Sequence, residues 1–418
     1  MENDLTTTAP EGEYRRLVYL DHAATSPLSA KSQSAMRAAE EQAFGNPNSG
    51  HWAGATAERV LDAARETLGR RAGFAGRVIL TSGATEANAI GILGLLRHAA
   101  LKQVLASAIE HDSVFAALDL ASALGAKTDR IGVDHQGVVS IDHLRELMGD
   151  RPSVVAVMHA NNEVGTLQPI REIAEVVHAT GGVLHVDAAQ SYGKVDLSDL
   201  GSADTIGVSA HKLGGPKGVG ALLVREGVFL DPPLGGGSQE YGLRRGTQNV
   251  PGIAGFARAA AESDPLKVGP ELEARATALR SGLVETIPEI RWTGDPVKRA
   301  PHIVSCVIPG VAGDVLAQSV SALGVAISVG SACHASSGEP SHVLRAMGAA
   351  TVEAACAVRL SVGLSTSDED IAYAIEVISE CVRRLRSILL AGREDPLLET
   401  VERIANDISS SQEARHEP

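Results

Sequence analysis

The sequence predicts an α/β protein with a mainly parallel sheet and a smaller α+β unit behind it, and three observations carry that expectation. Short β-branched runs alternate with Ala-rich helical patterns over the first two thirds of the chain. Near residue 265 this alternation gives way to a long helical stretch and a new set of strands. With 418 residues, 44% of them hydrophobic, there is material for one large or two medium domains with real cores.

Taken in order, Met1 to Arg15 are polar and acidic and are expected to form a mobile end. Strands are predicted over Val78–Thr81, Val104–Ala108, Val154–Met158, Val183–Val186, Thr205–Val208 and Gly220–Val224. Helical Glu271–Thr286 follows the boundary placed near 265, then strands near Ile303–Ile308 and Val325–Val329, then helices over Ser341–Met347 and Asp368–Leu390. The expected division is a large domain over 16–265, whose first residues pack with the small domain, a small domain over 266–405, and a flexible tail over 406–418. Neither an internal repeat nor a low-complexity segment interrupts the chain between its ends.

Composition removes several function classes. Against 37 basic residues stand 51 acidic ones, a net charge of −14, and no stretch concentrates Lys or Arg as a phosphate-backbone binder requires. With Phe 5, Tyr 5 and Trp 2, the chain lacks stacking platforms for single strands and aromatic belts for membranes, and no apolar run is long enough to span a bilayer. Cys306, Cys333, Cys356 and Cys381 form no CxxC pair and no signal-peptide core precedes them, so neither a disulfide framework nor a metal site is expected. The expected setting is the cytoplasm, with reduced thiols.

Three segments carry chemistry. In Val208-Ser209-Ala210-His211-Lys212-Leu213-Gly214-Gly215-Pro216-Lys217-Gly218, a lysine follows a strand among hydroxyl, imidazole and glycine. That arrangement suits a Schiff base, with Ser209 and His211 on a phosphate and Lys212 on an aldehyde cofactor. Taken alone it fits a solvated surface turn equally well. In Thr81-Ser82-Gly83-Ala84-Thr85-Glu86-Ala87-Asn88 a strand passes through glycine into a helix, so free N–H groups and the Thr85 hydroxyl could hold an anion, or merely cap the helix. Asp187 ends the strand of Leu184-His185-Val186-Asp187-Ala188-Ala189-Gln190, where a carboxylate is costly unless paired. The protonated pyridine nitrogen of pyridoxal phosphate would pair it; a helix N-cap is the plain alternative. His185 and Asp187 also have the spacing of a metal pair, but no third ligand accompanies them.

In this order the segments resemble the fold-type I pyridoxal phosphate-dependent transferases, and among them the cysteine desulfurases of the class V aminotransferase group. The resemblance runs from about Val18 to Leu390 and includes Tyr19-Leu20-Asp21-His22-Ala23-Ala24-Thr25, Gly45-Asn46-Pro47-Asn48-Ser49, Ile109-Glu110-His111-Asp112-Ser113 and Met158-His159-Ala160-Asn161-Asn162-Glu163-Val164-Gly165. It implies a mainly parallel seven-stranded sheet and pyridoxal 5'-phosphate as cofactor. Lys212 would be the Schiff-base lysine, Asp187 the partner of the pyridine nitrogen, and Gln190 the donor to the phenolic oxygen. His111 would stack on the ring and assist proton transfer. Ala84, Thr85, Ser209 and His211 would hold the phosphate, and Thr247 would reach it from the neighbouring subunit of a homodimer. Asn162 would contact cofactor and substrate, and Arg359, in Val358-Arg359-Leu360-Ser361, would clamp the substrate carboxylate rather than form a structural salt bridge.

Among the cysteines, Cys306, Cys356 and Cys381 have apolar surroundings that suit core packing. Cys333 sits in Gly330-Ser331-Ala332-Cys333-His334-Ala335-Ser336-Ser337-Gly338, small and polar, at the position of the desulfurase nucleophile. The implied reaction takes L-cysteine to L-alanine: the amine of Lys212 removes the Cα proton, the Cys333 thiolate attacks the substrate sulfur, and the persulfide passes to an acceptor protein. His334 stands where many relatives have Thr, and the Cys-His pair is similar to selenocysteine lyases. Gly214 and Arg245 also depart from the common pattern without removing a required group. The alternatives are a selenocysteine lyase, a class V aminotransferase, and a scaffold that only organises sulfur transfer.

Overall fold

The computed structural model describes residues 16–97, 101–233, 237–330 and 340–393. The two expected terminal segments and the segment holding Cys333 and His334 lie outside them.

The chain enters through β1 (Val18–Tyr19), then helices α1 (Ala30–Gln42) and α2 (Trp52–Arg71). The main sheet follows: β2 (Gly76–Thr81), α3 (Ala84–Leu96), β3 (Gln103–Ser107), α4 (Asp112–Ala123), β4 (Lys127–Ile131), α5 (Ile141–Met148), β5 (Val154–Met158), α6 (Ile170–Ala179), β6 (Val183–Asp187), β7 (Thr205–Ser209) and β8 (Gly220–Arg225). The seven strands lie in the order β2-β8-β7-β6-β5-β3-β4, with β8 antiparallel to both neighbours and all other pairs parallel. Strands β3, β5 and β7 are buried along their whole length and β6 along nearly all of it, because helices cover both faces. The β4 strand, Lys-Thr-Asp-Arg-Ile, has no counterpart among the strands expected from sequence. It lies at the sheet edge, where one flank is wet and charged side chains are tolerated.

Beyond α7 (Val250–Glu262), α8 (Pro265–Thr286) begins where the sequence pattern changes. A three-stranded antiparallel sheet follows, with β10 (Ile303–Val307) between β9 (Arg291–Trp292) and a last strand, β12 (Ala357–Ser361). Between them come α9 (Gly313–Ser321), β11 (Val325–Ala326), α10 (His342–Ala346) and α11 (Thr351–Ala355); α12 (Asp368–Arg393) ends the described chain. The strand expected over Val325–Val329 is shorter: only its first two residues pair, in parallel with β1, and Ser328 makes a single bridge to Arg359. Val18 and Leu20 thereby join the core of α8, α9, α12 and β10. Cys306 is buried in that core, its thiol pushed up to about 12 by burial, and Cys381 is buried beside it. Cys356 is half-buried. Among the described residues no helix is long and apolar enough to cross a membrane.

Candidate active site

Parallel strands end on one edge of a sheet, and the turns that leave that edge are the natural place for a ligand. Here the turns after β2, β3, β5, β6 and β7 surround a cavity of about 540 Å³ that Ala23–Thr25 and Arg359 close from the other side. Ten of the residues singled out from sequence line it.

Ala84 and Thr85 open α3. The residue before them, Gly83, supplies no side-chain cap, and a Cβ there would meet nothing within 4 Å, so the first turn of the helix faces open space. That turn is pressed against β8: a Cβ on Gly220 would collide with the Gly83 backbone, so only glycine lets the strand start there. From the end of β7 come Ser209, buried, and His211, whose Nδ1 lies 3.1 Å from Thr25 Oγ1. Burial, with Lys212, Lys217 and Lys194 adding to it, lowers the His211 pKa to about 4, so the ring is neutral. Lys212 Nζ donates to the carbonyls of Ala23 and Ala24, both at 2.7 Å, which holds its amine at the cavity wall.

Asp187 closes β6 and is buried. Its Oδ1 accepts from the Ala189 N–H at 2.9 Å and its Oδ2 from Asn88 Nδ2 at 2.7 Å. The N-cap alternative accounts for none of the second contact, which comes from α3. Both ring nitrogens of His185, one side-chain repeat earlier on the same face, are taken by other side chains. Its Nδ1 meets Thr205 Oγ1 at 2.9 Å and its Nε2 meets Asn88 Oδ1 at 3.0 Å. His111 caps α4, taking the Ser113 N–H on Nδ1 at 3.1 Å, with Ser113 Oγ 2.9 Å from the same nitrogen.

On the other flank Gln190 donates to Ala23 O at 2.8 Å and lies 3.1 Å from His302 Nε2. Lys194 Nζ is 3.2 Å from Gln190 O and 3.3 Å from that same His302 nitrogen. Burial, with the charge of Lys212 added, lowers Lys194 to about 7, and burial with Lys194 lowers His22 to about 4. Behind His111, Glu110 is fully buried. Its Oε1 takes Ser107 Oγ at 2.5 Å and the Met158 N–H at 2.8 Å, its Oε2 has no partner among the described residues, and burial raises it to about 8.

Arg359 projects from β12 into the same cavity with only 2% of its side chain exposed. Its Nη2 donates to Asp21 Oδ1 at 2.7 Å and its Nη1 to the Asn162 carbonyl at 2.9 Å, while Nε is buried and has no partner among the described residues. The salt bridge weighed against the clamp therefore exists, and with the Asn162 contact it uses two of the five N–H donors of the guanidinium. Asn161, beside Asn162, is taken up by the backbone of its own turn. Thr247 is exposed and does not line the cavity, and Cys333 falls outside the described residues. Sequence reasoning assigned no role to Asn88, Asp21, Lys194 or His302. Asn88 and Asp21 lay inside quoted motifs, while Lys194 and His302 had no local signal at all.

Fold and site together define a class. The family described as Aminotransferase class-V matches residues 18–373, and the chain belongs to that family, whose cofactor is pyridoxal 5'-phosphate. Within it, the chain is 38% identical over 378 residues to a protein of Archaeoglobus fulgidus named cysteine desulfurase IscS 1, covering 88% of this chain and 98% of that one. A cysteine desulfurase of Sinorhizobium fredii is also 38% identical, over 89% of this chain and 98% of its own. A solved NifS-like protein superposes with a TM-score of 0.80 at 31% identity, over 88% of this chain and all of that one. The residues present fit the cofactor. A lysine amine, a buried carboxylate and the uncapped first turn of α3 with Thr85 and Ser209 border one cavity, matching an aldehyde, a pyridine nitrogen and a phosphate.

Proposed function

We propose that this chain is a cysteine desulfurase that converts L-cysteine to L-alanine and carries the sulfur as a persulfide on Cys333 to an acceptor protein. The observation that carries the reading is the convergence on one cavity of Lys212 from the turn after β7, Asp187 from the end of β6 and Arg359 from β12. Bound there, pyridoxal phosphate supplies an electron sink to the substrate Cα.

The chain's own residues do the rest. Thr85, Ser209 and His211 hold the phosphate beside the first turn of α3, and Ala84 shapes that turn. Asp187 keeps the pyridine nitrogen protonated, and Gln190 donates to the phenolic oxygen. The Arg359 guanidinium, whose Nη1 and Nη2 each keep a hydrogen beyond those given to Asn162 and Asp21, donates to the substrate carboxylate, while Asn162 borders substrate and cofactor. The Lys212 amine takes the Cα proton. His111 moves a proton at the substrate thiol. The Cys333 thiolate then forms a bond to the substrate sulfur while the carbon–sulfur bond breaks. The electron pair stays with the carbon skeleton, which takes up a proton on the way to alanine.

Thr247, exposed in its own subunit, reaches the phosphate of a neighbouring one in a homodimer. The chain divides near residue 265 into the two domains expected from sequence. Four cysteines without a CxxC pair support a reducing, cytoplasmic setting, which keeps Cys333 available. The test compares alanine formation from L-cysteine by the wild type and by Cys333→Ser. Loss of turnover with the cofactor still bound supports the reading, full alanine formation by the variant would take the persulfide off Cys333, and consumption of L-cysteine to a mercapto-keto acid without alanine would point to a transaminase. Efficient turnover of L-selenocysteine with negligible turnover of L-cysteine would make the chain a selenocysteine lyase.

A further inference from the structure

We infer that Asn88 is a positioning residue that locks His111 in the tautomer the Ser113 backbone N–H sets, by turning the Ser113 hydroxyl onto the bare Nδ1. It does so through a hydrogen-bonded chain from Thr205 to His111 in which every donor has one direction.

The direction follows from two fixed ends. The backbone N–H of Ser113 can only donate, so His111 Nδ1, 3.1 Å away, is an acceptor, and in the neutral ring the proton sits on Nε2, the nitrogen left to the cavity. Ser113 Oγ, 2.9 Å from that bare nitrogen, donates its single hydrogen there and keeps its lone pairs for Asn88 Nδ2 at 3.0 Å. At the other end the Asp187 carboxylate can only accept. It takes the second hydrogen of the Asn88 amide at 2.7 Å, and a flipped amide would set oxygen against oxygen there. Asn88 Oδ1 therefore faces His185 Nε2 at 3.0 Å, which must carry a hydrogen. His185 Nδ1 is then bare and accepts from Thr205 Oγ1 at 2.9 Å. Burial lowers His185 to about 4, against the pull of Asp187, so the ring is neutral as this pattern requires.

The chain is built into the fold. Asn88, His185 and Thr205 are fully buried, and Asn88 sits on a helix otherwise packed by Ile90, Ile92 and Leu93. Two glycines clear its path: a Cβ on Gly207 of β7 would collide with Asn88 Oδ1, and one on Gly91 of α3 would collide with the His185 ring. Polar groups in such an interface are tolerated only when every hydrogen bond is made. The same amide also grips Asp187, so the carboxylate and the imidazole are fixed relative to each other. His111 thus meets substrate as a proton donor and becomes a base only after giving up its Nε2 proton. That last point rests on the desulfurase reading; the tautomer does not.

The test uses full-length protein labelled with 15N-histidine, with the His111 signals assigned by difference from His111→Gln. In wild-type protein stripped of cofactor, His111 is expected to show a bare Nδ1 and a protonated Nε2. Asn88→Leu frees the Ser113 hydroxyl to turn away, so it should shift the His111 Nδ1 resonance toward that of a less hydrogen-bonded nitrogen and, with cofactor restored, lower kcat for alanine formation about tenfold while KM for L-cysteine changes less than about twofold. Thr205→Val, isosteric and remote from the cavity, should shift the same two readouts less, and it serves alone if Asn88→Leu does not fold. A wild-type His111 protonated on Nδ1 overturns the inference, as does a folded Asn88→Leu variant whose His111 nitrogen shifts and kcat both match the wild type. Because the nitrogen spectrum needs neither cofactor nor substrate, failure of wild-type protein to form alanine would overturn the desulfurase reading and leave the tautomer assignment untouched.

Discussion

The two flanks of the β6 terminus were built on different terms. On the Asp187 side, Asn88, His185, Ser113 and Thr205 satisfy one another without an orphaned hydrogen. On the Gln190 side Lys194, His302 and His22 are buried, and among the described residues no carboxylate pairs with any of them. One nitrogen of His302 is within reach of both Gln190 Oε1 and Lys194 Nζ, and the other has no partner among the described residues. A ring nitrogen can donate to the oxygen or accept from the amine, not both. The saturated flank holds geometry. The under-partnered flank stores a charge cost, and its balance moves with pH.

The largest effect should come from breaking the saturated flank. Asp187→Ala removes the carboxylate that pairs the pyridine nitrogen and leaves an Asn88 hydrogen without an acceptor. Alanine formation should fall at least about 100-fold. Unfolding of the cofactor-free protein should cost less by about 1–3 kcal/mol. Near-normal turnover in cofactor-saturated Asp187→Ala would show that this flank does not serve the chemistry.

The opposite flank should respond chiefly through pH. Folding lowers Lys194 from its ordinary 10.5 to about 7, so its contribution to stability is fully present above 10.5 and is lost as pH falls through 7. Wild-type stability should therefore rise between those values. Lys194→Met should flatten that rise, gaining about 2–4 kcal/mol on the wild type between pH 10 and pH 7 in denaturant titrations. Parallel pH profiles for the two proteins would mean that Lys194 stays charged and paired.

A smaller effect of opposite sign is expected behind His111. Folding raises Glu110 from 4.5 to about 8, so its contribution is present below 4.5 and lost as pH rises through 8. Glu110→Gln keeps the acceptor for Ser107 and the Met158 N–H but cannot ionise. The variant should gain about 1 kcal/mol or more on the wild type between pH 5 and pH 8, even if its unpartnered amide lowers stability at both.

The contrast also separates what sequence could and could not reveal. The buried strands that carry Asp187 and Ser209 were legible because continuous β-branched runs have few other uses, and Gly220 marks a close approach to the Gly83 backbone that only glycine permits. Edge strand β4 was not, since half its residues meet water and it has no apolar pattern. Lys212, Asp187 and Arg359 stood out as charged groups at the end of, or within, apolar runs. Their partners did not: Asp21 reaches Arg359 across 338 positions, Asn88 reaches Asp187 across 99, and His302 reaches Gln190 across 112. Such pairings come from packing, which periodicity along the chain does not encode. His185 carried a readable signal, alternate placement with Asp187, but the signal suggested a metal where the fold places Asn88 and Thr205.

The desulfurase account is tested most directly by mixing cofactor-loaded protein with one equivalent of L-cysteine, alkylating, and locating the added sulfur by peptide mass spectrometry. The account predicts one extra sulfur on Cys333, none on Cys306, Cys356 or Cys381, and a matching equivalent of alanine. Alanine formed with no sulfur on Cys333 would contradict it.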